Sequence, residues 1–212
     1  MSIHPEPWLH VDATLIVADK AAGLLAVPGR GEAGQTSLAA QAQRCFADAL
    51  VVHRLDMATS GLMLFARGAL MQRALSMAFE ARRIDKRYEA VVEGLLDGDT
   101  GEIDLPLAAD WPNRPRQVVD HERGKPSLTR WRVLECDVQT RRTRLSLQPV
   151  TGRSHQLRVH LASIGHAIVG DALYAAPAVA AAAPRLLLHA SELGFEHPLT
   201  MLPLRFHSAP TF

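Results

Sequence analysis

Apolar residues along this chain come in short runs, most of them closed by a turn residue. Leu15-Ile-Val-Ala18 and Leu24-Leu-Ala-Val27 lead into Pro28-Gly29 and predict two strands. Val51-Val52 and Leu62-Met-Leu-Phe65 predict two more, on either side of a polar segment. Tyr88 to Glu93 reads as a strand ending at Gly94, and Leu186-Leu-Leu188 and Leu202 to Phe206 as late strands. Residues 141–149 alternate cleanly. Thr143, Leu145, Leu147 and Pro149 fall on one side, and Arg142, Arg144, Ser146 and Gln148 on the other, which predicts a half-buried strand with a basic wet face. Three stretches carry helical spacing instead. Residues 37–47 are Ala/Gln-rich behind Ser37, a candidate N-cap. In 69–83, Met71, Leu75, Ala78 and Phe79 form one apolar stripe. In 154–164 the stripe is Leu157, Leu161 and Ile164, with Ser154 as candidate cap and Gly165 as stop. The Ala/Pro-rich residues 175–184 predict a connector with one helical turn.

Strands follow one another directly more often than they alternate with helices. The expected fold class is therefore α+β, with a mixed, mostly antiparallel sheet flanked by helices. No repeat and no long Gly/Ser linker divides the 212 residues, so 1–212 reads as one domain. With 48% hydrophobic and 21% charged residues the chain can bury a core and is not disordered. Cys45 and Cys136 are distant and form no C-x-x-C, which excludes a disulfide framework and a zinc ribbon and fits a reducing, cytoplasmic setting. The opening residues have neither the charged nor the apolar region of a signal peptide, and no run is long enough for a membrane span.

Charge changes the picture. The net value of +1 conceals strong segregation. Residues 67–88 hold six basic and two acidic side chains, 89–110 hold seven acids and no base, and 111–160 hold eleven basic and four acidic. The basic blocks are candidates for a face that meets a polyanion. Aromatics, at 5%, are few for a protein that binds RNA mainly by stacking bases.

Several motifs dissolve on inspection. Gly29-Arg-Gly31-Glu-Ala-Gly34 is a literal G-x-G-x-x-G, but no βαβ unit follows, and a glycine-rich surface loop is the better reading. His53, Asp56 and Ser60 are the residue types of a hydrolase triad, yet they lie within eight residues and lack a G-x-S-x-G elbow. His155 and His160 are five apart, not the four of a helical zinc pair, and no histidine cluster has ligand spacing. The strongest constellation is His53-Arg-Leu-Asp56-Met-Ala-Thr-Ser60-Gly-Leu-Met-Leu-Phe-Ala66, with one acid in a short polar segment between two apolar strands. Such an aspartate is either a turn cap or a site residue. Thr151-Gly-Arg153-Ser-His155-Gln-Leu-Arg158 opens a helix directly after the basic strand and gathers Arg, His and amide groups at a helix N-terminus, a natural place to hold an anion.

Taken together these blocks resemble the RluA-type pseudouridine synthase family. The HRLD-x-x-TSGL-x-x-FA stretch at 53–66 is similar to its catalytic signature, Lys86-Arg-Tyr88 to its K-x-Y element, and 151–158 to its TGR-x-HQ-[IL]-R element. Gly165 to Tyr174 and Leu188-His-Ala190 match two later blocks, and Lys20 to Gly29 the entry segment. Asp110-Trp-Pro-Asn-Arg114-Pro115 and Gly124-Lys-Pro126 resemble the short RluA subgroup, which modifies a 23S rRNA hairpin and the tRNA anticodon stem-loop and has no N-terminal S4 domain. Ser154 stands where Thr is usual and Ala167 where Pro is usual.

The resemblance implies a single catalytic domain with a cleft across the sheet, isomerising uridine within RNA without cofactor or metal; one domain with a basic cleft suffices for this, so a monomer is expected. Asp56 is the implied catalytic carboxylate, acting at uracil C6 or at the ribose, with Arg153 as the cation that keeps it charged and Tyr88 as the ring stacked on the target base. Leu188 is expected to pack on the base's other face, His53 to order the loop, and Arg54 to fill the stacking space left by the everted nucleotide. Arg114, Arg116, Arg142 and Arg144 are expected at phosphates, with His155 and Arg158 as further substrate contacts. Two other classes remain open on the residues alone. One is a non-catalytic RNA-binding or RNA-chaperone protein using the same basic face. The other is a nucleosidase, for which Asp56 lacks a neighbouring second carboxylate in these blocks.

Overall fold

The computed structural model describes residues 7–29 and 36–212. The glycine-rich segment lies outside the described residues apart from Gly29, as does the chain's opening. The elements are β1 (Trp8–Val11), β2 (Leu15–Lys20), α1 (Leu38–Cys45), β3 (Ala49–Val51), β4 (Ser60–Arg67), α2 (Ala69–Glu80), β5 (Asp85–Glu93), β6 (Thr100–Asp104), β7 (Leu107–Ala109), β8 (Gln117–Val119), β9 (Leu128–Asp137), β10 (Arg142–Pro149), α3 (Gln156–Ser163), α4 (Pro177–Ala180), β11 (Leu188–Glu196) and β12 (Pro203–His207). They fall into two compact units, residues up to 86 with 189–211, and residues 87–188 with Phe212. No helix among the described residues is long and apolar enough to cross a membrane.

In the first unit β2 and β4 pair antiparallel over six residues, from Leu15 opposite Ala66 to Lys20 opposite Gly61. Leu15 to Ala18 and Leu62 to Ala66 are apolar without interruption because both faces of these stretches are covered. Leu15, Val17, Leu62, Leu64 and Ala66 pack against Met71, Leu75 and Ala78 of α2. Ile16, Ala18, Met63 and Phe65 pack against Leu38, Ala39 and Ala42 of α1. β11 runs parallel to β4 beside Ser60 and Gly61, and β3 runs antiparallel beside its last three residues. Gly61 makes the first of these pairings possible: at φ +108° a Cβ there would stand 2.3 Å from the Ala190 carbonyl oxygen.

The second unit is antiparallel, with β10 between β5 and β9 and β6 on the far side of β9, while β7 and β8 form a separate hairpin. β10 buries Thr143, Leu145, Leu147 and Pro149 and leaves the alternate residues half-buried, as its period predicts. Of these strand pairs all are antiparallel except β4 with β11, so the α+β, mostly antiparallel expectation holds.

The local predictions needed several corrections. Leu186 and Leu187 precede β11, which begins at Leu188, and Ile164 lies beyond α3 and is exposed. Leu24–Val27 forms no strand. Gly23 turns at φ +85°, the Leu24 carbonyl accepts from the Lys20 ammonium, and only Leu25 bridges, to Ser37. α2 stops at Glu80, where Arg82 adopts φ +57°. α3 is capped by His155 at φ +53°, not by Ser154. Ser37 does cap α1, its hydroxyl accepting from the Ala40 N–H at 3.2 Å.

Candidate active site

The first unit holds Asp56. It sits half-buried in the turn between β3 and β4, and its carbonyl accepts from the Thr59 N–H at 3.1 Å. The neighbouring Leu55 side chain is buried and Arg54 is exposed. Directly beneath the turn lies Lys20, the last residue of β2, with 0% of its surface accessible. Its ammonium donates to the carbonyls of Ala21 at 2.9 Å, Leu24 at 2.7 Å and Met57 at 3.0 Å. Burial pushes the Lys20 amine down from 10.5 to about 8, and the nearby Asp56 carboxylate works against that fall by favouring the charged form. The Gly23 N–H also reaches the Met57 carbonyl, at 2.9 Å, so the residue after Asp56 is tied from two sides. A lysine closing a strand of core residues was legible as an anomaly, but nothing local said which carbonyls it would hold.

Two histidines pin the flanks of the same turn. His53 stacks on Phe79 with ring centroids 4.4 Å apart, and its Nε2 accepts from the Leu64 N–H at 2.9 Å. Desolvation first, and the Lys86 charge second, push its pKa down to about 3, so it is a neutral acceptor. This agrees with a role in ordering the loop. Ser60, four residues after Asp56, lies 2.9 Å from Nδ1 of the buried His189 on β11, not beside His53, which disposes of the hydrolase-like triad.

The second unit holds the other expected residues. Tyr88 lies half-buried on β5 opposite Leu147, Leu188 is buried at 3% exposure, and Arg153 is exposed. The Thr151–His155 turn is organised by Gln156, whose amide the sequence placed among groups available to an anion but which is spent on the protein itself. Its Oε1 accepts from Thr151 Oγ1 at 2.7 Å and from the Arg153 N–H at 3.0 Å, while its Nε2 donates to Leu128 O and Thr129 Oγ1, both at 3.0 Å. The left-handed backbone at His155 places its Nδ1 2.6 Å from the Tyr174 hydroxyl, which accepts from the Gln117 N–H at 2.8 Å.

Arg158 departs from its expected role as a substrate contact. Its guanidinium forms a fork with Asp171, Nε to Oδ2 at 2.7 Å and Nη2 to Oδ1 at 2.6 Å, with the two side chains 5% and 0% exposed. Asp171 also accepts from the Leu173 and Tyr174 N–H groups, so the pair is a structural hub. The expected phosphate arginines divide. Arg144 is paired with Glu89 at 3.1 Å and donates to the Phe212 carbonyl. Arg116 donates to the Leu173 carbonyl and lies over the Tyr174 ring. Arg142 is half-buried opposite Asp137 in the β10–β9 ladder. Arg114 is exposed and lies over the equally exposed Trp111, its Cζ 3.1 Å from the ring centroid, at the tip of the β7–β8 hairpin. Among the described residues no three His, Cys, Asp or Glu side chains group to hold a metal ion.

Residues 14–163 match the model of the RNA pseudouridylate synthase family. A protein of Vibrio cholerae called dual-specificity RNA pseudouridine synthase RluA is 50% identical over 196 residues, covering 91% of this chain and 79% of its own length. Namesakes from Pasteurella multocida (45% over 210 residues, 98% of this chain and 95% of theirs) and Escherichia coli K12 (47% over 196, 91% and 89%) are similar. Among solved structures, human RNA pseudouridylate synthase domain containing 1 superposes with a TM-score of 0.83 at 25% identity, over 100% of this chain and 86% of that one. Its counterpart numbered 4 has a TM-score of 0.76 at 23%, over 96% and 88%. The signature blocks, the strand arrangement and these likenesses converge on one answer: the chain belongs to the RNA pseudouridylate synthase family and is an isomerase that converts uridine to pseudouridine in RNA.

Proposed function

We propose that this enzyme acts on two RNA classes, a 23S rRNA hairpin and the tRNA anticodon stem-loop, with Asp56 as its reacting carboxylate. The relatives called dual-specificity support the pair of targets, being 45–50% identical over nearly the whole chain. The observation that carries the catalytic assignment is the placement of Asp56. It is a half-buried carboxylate on a turn held at Met57 by Lys20 and flanked by the His53 and Ser60 anchors. A group fixed in this way reaches the reacting geometry without first being ordered.

The chemistry is an isomerisation. The bond from uracil N1 to ribose C1′ breaks, the base turns, a bond forms from C5 to C1′, and the proton lost at C5 is balanced by one gained at N1. No oxidant, reductant or energy source enters that balance. In this reading Tyr88 presents its ring to the uracil, Leu188 shields the base from water, and Arg153 supplies positive charge to the reaction. Arg54, exposed two residues before Asp56, takes the space of the everted base, whose removal from the stack costs a few kcal/mol. The chain works as a monomeric, cytoplasmic catalytic domain spanning 1–212, with its cleft across the sheet and RNA as its partner.

Tritium release from 5-tritiated uridine in bulk rRNA and tRNA tests the reading, with site mapping in a deletion strain. The wild type is expected to release label from both pools. Asp56→Asn is expected to bind RNA with unchanged affinity and release none. Label release by that variant removes Asp56 from the chemistry, and release from one pool alone removes the dual specificity. An RNA chaperone would keep its activity in Asp56→Asn.

A further inference from the structure

A buried polar chain in the first unit is not accounted for by the chemistry above. Ser60 Oγ lies 2.9 Å from His189 Nδ1, and His189 Nε2 lies 3.1 Å from both the carbonyl oxygen and the hydroxyl of Ser208. The Ser208 hydroxyl in turn donates to Asp19 Oδ2. Ser60, His189 and Ser208 are all buried, so each of these groups had to find a partner on folding. The chain joins four separate stretches: the end of β2, the start of β4, the start of β11, and the residue after β12.

Direction follows from chemistry. A carbonyl oxygen only accepts, so Nε2 of His189 carries a proton and donates to the Ser208 carbonyl, while Nδ1 is the ring atom that faces the Ser60 hydroxyl. The order Ser–His–Ser–Asp also separates this chain from a nucleophile relay. Asp19 meets Ser208 rather than the imidazole, and the Ser60 side chain is enclosed in the protein.

The position of Ser60 gives the contact its meaning. It is the residue at which the Asp56 turn enters β4, one position after Thr59, whose N–H closes that turn on the Asp56 carbonyl. β11 meets β4 over only two residue pairs, His189 with Ser60 and Ala190 with Gly61. The imidazole therefore fixes the outgoing end of the turn, as His53 fixes the incoming end through the Leu64 N–H. We propose that His189 is a positioning residue for Asp56, acting through its Nδ1 contact with Ser60, while its Nε2 contact with Ser208 serves only to hold the ring. The proposal rests on Asp56 being the reacting carboxylate.

The two ring nitrogens can be replaced one at a time. His189→Asn places an amide near the Nδ1 position and keeps a partner for Ser60. His189→Gln reaches the Nε2 position and keeps Ser208 but abandons Ser60. His189→Leu removes both. All three are expected to lower the unfolding midpoint. Under single-turnover conditions on a tRNA stem-loop, Asn is expected to hold the chemical rate within a few-fold of the wild type. Gln and Leu are expected to lose about 10–100-fold at unchanged RNA affinity, since a displacement of order 1 Å can cost about a hundredfold. Ser60→Ala, a smaller change that preserves the fold, is expected to show the same loss, and the Ser60→Ala/His189→Leu double variant no more than either single one. Equal rates for Asn and Gln, or a Ser60→Ala enzyme with full activity, overturn the proposal. Asp56→Asn with full activity would instead overturn the catalytic assignment on which it rests.

Discussion

Replacing Lys20 by Met exposes how a buried cation supports the Asp56 turn. The substitution keeps the length and apolar stem of the side chain and removes the charge. In the wild type, a pKa lowered from 10.5 to about 8 means that holding the ammonium charged at neutral pH costs about 3 kcal/mol. Met relieves that cost. Against it, the Leu24 carbonyl loses its Lys20 donor, and the Ala21 and Met57 carbonyls keep only their backbone donors, at 3.4 Å and 2.9 Å. The orphaned Leu24 acceptor costs about 1–3 kcal/mol, and the two acceptors that keep a donor cost less. The opposing effects are of similar size, so the stability change at pH 7 is small. Its pH dependence is not. Between about pH 8 and 10.5 the unfolded chain carries a proton on Lys20 that the folded chain has released, so unfolding takes up a proton and stability rises with pH. Urea melts at pH 7, 8, 9 and 10 are expected to show the wild type gaining up to about 3 kcal/mol over Lys20→Met across that window, with a flat difference below it. The chemical step is expected to slow about 10–100-fold in the variant at neutral pH, because the Met57 carbonyl beside Asp56 is no longer held by the ammonium. Parallel melts at every pH would refute the buried charge, and an undiminished rate would refute its part in positioning Asp56.

Other substitutions probe the surrounding framework. Asp171→Asn leaves the Arg158 guanidinium buried without its counter-charge and is expected to cost about 3–5 kcal/mol by urea denaturation. A loss below 1 kcal/mol would show that the fork is dispensable. His53, with its pKa held at about 3, stays neutral in the folded protein while the unfolded chain protonates below about 6.5. The wild type is therefore expected to lose stability relative to His53→Gln as pH falls from 7 to 5, and parallel melting curves would contradict this. Arg114→Ala removes an exposed cation on the β7–β8 hairpin and is expected to weaken RNA binding uniformly and to reduce the slope of log affinity against log salt by about one. An unchanged slope would place Arg114 away from the phosphates.

Much was legible in the sequence because it is local. The alternation in 141–149 became β10 with the expected buried side, since a period of two leaves little choice once one face is apolar. Ser37 capped α1 and the 69–83 stripe became α2, and both depend only on neighbours within a few positions. The signature around Asp56 identified the family, because chemistry needs particular side chains in a particular order. β9 escaped notice for the converse reason: its alternation is of half-buried with exposed residues, and Leu128 to Asp137 carries four charged side chains that hide the strand period.

Only the fold could decide which distant groups would meet. Lys20 reaches Met57 across 37 positions, Ser60 meets His189 across 129, and the Arg158 fork closes on Asp171 across 13. Such contacts have no periodicity, since a buried polar atom is satisfied by whatever the packing of strands brings within 3 Å. The left-handed His155 cap and the double-sided burial of β2 and β4 likewise depend on tertiary neighbours rather than on propensity. Local order along the chain thus determined the elements and the family, whereas the anchoring of Asp56 was settled by the strands that close around it.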